Sequence, residues 1–378
     1  MTVILIIYVL ASLLLAIALD FLAREAAYVF RKRHQPTPQH PPVSLIKPIK
    51  GVSEFSEECF RSWLKQNYTG HVQFIFSLQD PDDPALGVLG KLSKEFQFEV
   101  CINAVQPDLL GKTSNLDYGI RIAKHDLLIF SDADILAPPD TIRRIVDCLC
   151  GGTDLVSCLP THMEARNTWA RMYESAWNSG IYYLWAPSML HGVPAGVAGG
   201  TVALSRRTLE KIGGIRSFGQ YIADDLAMGK KAIEAGLKVG MGPEVFSPVG
   251  FIPFHILLEK FIRANLIFIC MPPYNVFMGI ITLFFSYAYL PMLFFGAAID
   301  YRVALAGLAG LLLRMFSIMR LSQIANRTLR LPYETIVSDI LSFSAFVTAF
   351  FKREVLWSGV KYRVIRGGKI QITNITNS

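Results

Sequence analysis

The run from Val3 to Leu19 contains no charged residue, and with Phe21 and Leu22 it reaches the length of a helix that crosses a bilayer. That run limits its segment to a membrane span or a cleaved leader. Ala16 and Ala18 imitate a leader's cleavage site, but no Lys or Arg precedes the apolar stretch, as a leader would require. Basic residues follow it instead, at Arg24, Arg31, Lys32 and Arg33, and positive residues stay on the cytosolic side of a span. Composition agrees: 52% hydrophobic residues and a mean hydropathy of +0.37 are high for a soluble chain of 378 residues. An integral membrane protein is therefore expected, with a transmembrane helix over 1–24 and its main domain facing the cytosol. Whether that membrane is a bacterial inner membrane or a Golgi or ER membrane stays open.

A linker over 25–42, rich in Pro, Gln and His from residue 34 on, leads to Val43. Short apolar strands (VSLIKPI, HVQFIFSLQD, FEVCIN and HDLLIFSDADI) then alternate with helical stretches at 54–66, 85–95 and 115–124. This alternation predicts an α/β domain over 43–252 with a mostly parallel, Rossmann-like sheet and ligands outside the carboxyl ends of its strands. Over 253–273, His255–Ile269 alternates basic and apolar residues like a helix lying on a membrane surface, until Met271-Pro272-Pro273 breaks it. Apolar runs at 275–299, 303–321 and, more weakly, 336–351 place membrane helices in 274–355, and a basic tail fills 356–378. If all three runs cross, that tail ends opposite the cytosol, so one of them is expected to be re-entrant or interfacial. Arg314, inside the second run, reads either as a snorkelling side chain or as the mark of a lipid-binding cavity.

The formal charge of +7 suits anionic lipid headgroups better than nucleic acid, because the positive residues flank apolar spans. The partners expected are thus the bilayer and a membrane lipid, with no nucleic acid and no obligatory protein partner evident. Six cysteines lack the paired spacing of a metal site and read as reduced core residues.

Chemistry concentrates in acidic motifs behind apolar strands. Asp132 and Asp134 of Ser131-Asp132-Ala133-Asp134 follow the strand LLIF, and alternate strand residues point the same way, so the pair can present two hard oxygen donors to Mg2+ or Mn2+. The competing role is capping the helix after Pro138. Asp80-Pro81-Asp82-Asp83 also follows an apolar strand, where a carboxylate can accept a hydrogen bond from a nucleobase, and Asp224-Asp225 opens a helix.

These motifs, with KPIKGV, QDPDDPA, GKTSNLD, SDADI, AGGTVALSRRTLEKIGGI, QYIADD and the WSGVKYRVIRGG tail in order, resemble the inverting family-2-type glycosyltransferases of GT-A fold, most of all the ceramide glucosyltransferase branch, family 21. The resemblance implies a UDP-sugar donor, a divalent metal and a lipid hydroxyl as acceptor. It implies that Asp83, with Asp80 beside it, lies near uracil and ribose, that Lys47 approaches the nucleotide and that Lys112 lies near the donor phosphates. Asp132 and Asp134 match the metal pair, and Asp225 matches the catalytic base, Asp224 being free to cap the helix. Where the family carries an Arg-Trp pair, Lys260-Phe261-Ile262-Arg263-Ala264 stands here, so Arg263 and Lys260 keep positive charge for the phosphates and the Trp is absent.

The implied reaction is transfer of a hexose, glucose being the best guess, to ceramide or a similar lipid with inversion. Rival readings are a processive polysaccharide synthase, a polyprenyl-phosphate glycosyltransferase and an inactive membrane scaffold. Aromatics between SDADI and AGGTVAL, with His191 among them, are either interfacial anchors or an acceptor entrance.

Overall fold

The computed structural model describes all residues except 32–35, 105, 107–108, 181, 183–184, 187–188, 190–196, 198, 271–287, 326–331, 358–359 and 376–378. His191, Lys32, Arg33 and the Met271-Pro272-Pro273 break lie outside the described residues. The chain forms two compact units, one of residues 29–164 and 188–250, the other of residues 1–28, 165–187 and 251–378.

The first unit is built on a sheet of β1 (Val43–Pro48), β2 (Val72–Leu78), β3 (Glu99–Ile102), β4 (Leu127–Ser131), β5 (Leu155–Cys158), β7 (Thr201–Ser205) and β8 (Val239–Met241), in the order β3-β2-β1-β4-β7-β5-β8. All neighbours pair in parallel except β7, which runs antiparallel to both β4 and β5. The mostly parallel α/β sheet expected from the sequence is therefore present. All six residues of β1 are buried, as befits a central strand covered on both faces. Helices α2 (Ser56–Leu64), α3 (Ala85–Leu92), α4 (Gly111–Ile122) and α5 (Thr141–Cys150) connect the strands, and the antiparallel pair β6 (Pro160–Ala165) and β9 (Val245–Gly250) stands beside the sheet.

Strand β4 stops at Ser131 rather than running through the SDADI motif. The Ile135 amide donates to the Asp132 carbonyl (3.3 Å), closing a turn over 132–135. Asp132 and Asp134 are thus juxtaposed by a turn and not by strand alternation. The end of α2 buttresses this turn. Trp63, fully buried, donates from Nε1 to the Ile135 carbonyl (3.0 Å), and Ser62 Oγ accepts from the Ala137 amide (3.0 Å). Trp63→Phe removes the donor and strands a buried carbonyl, so it is expected to destabilise the protein by about 1–3 kcal/mol, read as a lowered thermal midpoint in detergent.

The linker expected over 25–42 is shorter and tighter than its composition implies, because α1 spans Thr2–Arg31. Past the undescribed residues, Thr37 donates its amide to Asp147 Oδ1 (2.9 Å) and accepts from Arg143 on its carbonyl (2.6 Å), and Tyr68 Oη donates to the Pro41 carbonyl (2.6 Å). Proline-rich backbone cannot pair with itself, so its open carbonyls are taken by side chains.

The second unit contains most of α1 together with α6 (Thr168–Gly180), α9 (Phe254–Cys270), α10 (Tyr289–Ile299), α11 (Tyr301–Ile324) and α12 (Pro332–Phe351), numbered after α7 (Arg206–Lys211) and α8 (Asp224–Glu234) of the first unit. Helix α9 covers most of the stretch 253–273 that the sequence reads as helical. Among the described residues, α1 and α11 are long and apolar enough to cross a membrane. Asp300 breaks the chain between α10 and α11, its side chain accepting from the Arg302 amide (2.8 Å). The two helices then pack closely through small residues: a Cβ at Gly296 would lie 2.7 Å from the Ala304 nitrogen, and one at Gly307 would lie 2.9 Å from the Leu293 nitrogen.

Arg314 is buried and paired rather than snorkelling. It is 7% exposed and holds Asp339 of α12 in a bidentate pair, both contacts at 3.0 Å, with Tyr289 Oη donating to the same carboxylate at 3.1 Å. The region expected to be a basic tail is an antiparallel meander of β10 (Glu354–Trp357), β11 (Val360–Val364) and β12 (Ile370–Ile375). Gly367 and Gly368, at φ of 85° and 76°, supply the left-handed turn that a β11–β12 connection needs. Of the six cysteines, all free, Cys59, Cys148, Cys158 and Cys270 are buried as expected, whereas Cys150 is exposed.

Candidate active site

At the carboxyl edge of β1 and β4, next to the start of antiparallel β7, six charged side chains of the first unit converge: Lys47, Lys112, Asp132, Asp134, Asp224 and Asp225. Lys112, in the first turn of α4, is the hub. Its Nζ lies 2.8 Å from Asp132 Oδ1 and 3.7 Å from Asp224 Oδ2. Burial alone would lower its pKa, but the carboxylates of Asp132, Asp224 and Asp225 hold it well above the ordinary lysine value.

Asp132 shows the reverse balance. Burial, together with the charges of Asp134 and Asp224, pushes it up to about 7 against the pull of Lys112. About one-third of its side-chain surface is open, so the carboxylate remains reachable. Asp134 is exposed and accepts from Ser247 Oγ of β9 (3.3 Å).

Asp225 sits where α8 begins. Its Oδ1 accepts from the Leu226 amide (2.8 Å), and the Gly199 amide also donates to the carboxylate. Burial first, then Asp224, raise its pKa above the ordinary aspartate value, while Lys112 opposes them. A Cβ at Gly199 would lie 2.7 Å from Asp225 Oδ2, so glycine is required for this approach. Gly200, next in the same turn, accepts on its carbonyl from the Asp132 amide (3.0 Å). One Gly-Gly turn thus touches both the Asp132 backbone and the Asp225 carboxylate.

Lys47 is fully buried. Its Nζ donates to Ser131 Oγ (3.1 Å) and to the Asp132 carbonyl (2.7 Å), over the Trp63 ring at 5.4 Å. Burial lowers its pKa to about 8, despite the carboxylates nearby. In this arrangement Lys47 holds the Asp132 turn from beneath. Asp83 is likewise occupied, with Oδ2 accepting from the Gly51 amide (2.7 Å) and Oδ1 from the Ala85 amide (2.8 Å) at the start of α3. Asp80 is exposed at the end of the preceding strand and accepts from the Asp82 amide (2.9 Å).

Lys260 and Arg263 belong to the second unit, on α9, where Lys260 Nζ lies 4.7 Å from the centre of the Tyr173 ring of α6. Residues that sequence reasoning missed include Trp63, Ser247 and Gly199. For Gly199 a signal existed in the doubled glycine just before an apolar strand.

Among the described residues no group of three or more His, Cys, Asp or Glu side chains is gathered closely enough to cage a metal ion. Two adjacent carboxylates with water and a substrate diphosphate completing the shell is nevertheless the usual arrangement for Mg2+ or Mn2+. The raised pKa of Asp132 marks a place where a further positive charge is favoured. The donor set therefore fits such an ion.

Lys112 holds down the pKa of Asp225. Lys112→Met removes the cation that opposes the rise at Asp225, so the Asp225 pKa climbs further. Were Asp225 to serve as a general base it would act only when deprotonated, and activity would be lost as pH falls through its pKa. The acidic limb of the kcat/KM profile is therefore expected to move to higher pH in the variant. A limb that stays in place would separate Lys112 from the base.

The family model described as Glycosyl transferase family 21 matches residues 3–370. Ceramide glucosyltransferase 1 of Caenorhabditis elegans is 22% identical over 220 residues, covering 56% of this chain and 47% of that protein. The ceramide glucosyltransferase of Pyricularia oryzae is 29% identical over 128 residues, covering 29% of this chain and 26% of that protein. The chain thus spans less than half the length of these two relatives. A mannosyltransferase from Pyrobaculum calidifontis, solved with GDP-Man and Mn2+, overlaps with a TM-score of 0.49 at 16% identity, covering 92% of this chain and 99% of its own.

Proposed function

Because this chain belongs to glycosyl transferase family 21, we propose that it moves a hexose from a UDP-sugar onto the hydroxyl of a membrane lipid with inversion at the anomeric carbon. The observation that carries the reading is the gathering of Asp132, Asp224 and Asp225 around Lys112 where the strands end, with Asp134 beside Asp132. Glucose is the first donor to test and ceramide the first acceptor, since the relatives named above are ceramide glucosyltransferases. A membrane setting is supported by α1 and α11, and the cytosolic placement of the catalytic unit by the basic residues that follow the first span.

In this mechanism the acceptor oxygen attacks the anomeric carbon from the face opposite the diphosphate. The new C–O bond forms as the bond to UDP breaks, the electron pair leaves with UDP, and the hydroxyl proton passes to Asp225. Burial beside Asp224 makes Asp225 a stronger base than a surface aspartate, and its two amide donors fix its direction. A divalent ion held by Asp132 and Asp134 would neutralise charge on the leaving diphosphate. Lys112 adds a cation beside the same phosphates, and Lys47 keeps the Asp132 turn in register. Asp80 and Asp83 serve the nucleoside side of the donor, Asp83 by shaping the Gly51 backbone it holds. For Arg263 and Lys260 of α9 the family resemblance proposes a part in phosphate binding. An acceptor confined to the leaflet reaches such a site concentrated and oriented.

The test is transfer by the full chain in detergent with Mn2+ or Mg2+, a panel of radiolabelled UDP-sugars, and ceramide, hopanoid and glycerolipid acceptors, read by thin-layer chromatography. A single labelled lipid establishes the reaction and identifies donor and acceptor together. Label in a long polymer would assign a processive synthase, and no label from any donor would overturn the proposal.

A further inference from the structure

The positive charge of this chain is concentrated at one place. Residues 352–378 carry six Lys or Arg against one Glu, which accounts for five of the seven net charges. Lys352, Arg353, Lys361, Arg363, Arg366 and Lys369 are all exposed. The meander sorts them by the period of a strand. In β11, Tyr362 and Val364 are 7% and 2% exposed, whereas Lys361 and Arg363 alternate with them on the open face. Register sets Arg363 opposite Glu354 on one side and Gln371 on the other. Glu354, the segment's single acid, is already paired with Lys361 at 2.6 Å. Arg366 and Lys369 extend the same positive character around the β11–β12 turn.

What precedes this face identifies its partner. Helix α12 ends with Phe350 and Phe351, 51% and 85% exposed, and Lys352 and Arg353 follow without a gap. Exposed aromatics followed at once by exposed cations reproduce the order of a membrane boundary, with rings at the interface and cations at the headgroups. Among the described residues this face offers no aromatic platform for nucleic-acid bases, since Tyr362 is turned to the buried side.

We propose that the exposed basic face of β10–β12 docks on the anionic phospholipid headgroups of the leaflet at which α12 ends. The contact is electrostatic and does not depend on the catalytic reading. It gives α12 a second, charged attachment beside its apolar surface.

The full chain in nanodiscs of phosphatidylcholine, with and without phosphatidylglycerol, tests it through lysine acetylation rates read by mass spectrometry. Lys361 and Lys369 are expected to react several-fold more slowly in the anionic discs. Lys230 and Lys231, exposed on α8, serve as internal standards and keep their rates. Raising the salt to about 1 M, which shrinks the screening length to about 3 Å, should restore labelling. Arg363→Glu/Arg366→Glu should abolish the difference between the two discs. Equal labelling in both discs, protection that persists in high salt, or protection by an added RNA oligonucleotide in place of anionic lipid would each overturn the proposal.

Discussion

Asp225→Asn is expected to lower the turnover of glycosyl transfer by about 10²–10⁴-fold, the range a positioned general base supplies. The carboxamide keeps the size of the carboxylate and an oxygen for the Leu226 amide, at the expense at most of the Gly199 contact, so the fold and the donor KM should change little. Initial rates of lipid labelling against UDP-sugar concentration separate the two quantities. Asp224→Asn is the control. Asp224 faces Lys112 at 3.7 Å and acts on Asp225 by raising its pKa, so its loss should shift the acidic limb downward and cost far less turnover. If Asp224→Asn proved the more damaging change, the base would be Asp224.

The largest expected effect on stability lies far along the chain. Arg314→Met leaves Asp339 buried with the Tyr289 hydroxyl at 3.1 Å but without its cation, and breaking a buried pair from one side costs about 3–5 kcal/mol. Replacing both residues, as Arg314→Met/Asp339→Leu, removes the uncompensated charge and should recover most of that loss. Unfolding in mixed detergent and SDS, followed for the wild type and both variants, reads the difference. A single variant as stable as the wild type would mean that the pair contributes nothing to the packing of α11 on α12.

The fold was legible where its information is local. The apolar runs VSLIKP and VQFIFSL are strands because each carries its own period and length, and the stretch around Lys260 is a helix for the same reason. Pairing information is not local. That β7 inserts antiparallel between β4 and β5 depends on Ser131 meeting Thr201, and no pattern within either segment encodes that meeting. The acidic motifs were visible as residues, but the structural work of Lys47 and Asp83 was not, because it depends on which backbone groups close around them. Arg314 was ambiguous until Asp339 appeared across from it. The meander was hidden by composition: Lys-Tyr-Arg-Val alternates as a strand should, yet its charge density reads as a tail.

Helix α11 is built inside out. Leu305, Leu308, Leu312, Phe316 and Met319 are exposed along one side, while Gly307, Gly310, Arg314 and Ser317 lie on the buried side with Ala306, Ile318 and Leu321. In water such a helix would gain by turning its polar stripe outward and gathering its leucines, so the surrounding medium selects its fold. The choice of solubilising agent is thus a structural variable for the packing of α10, α11 and α12.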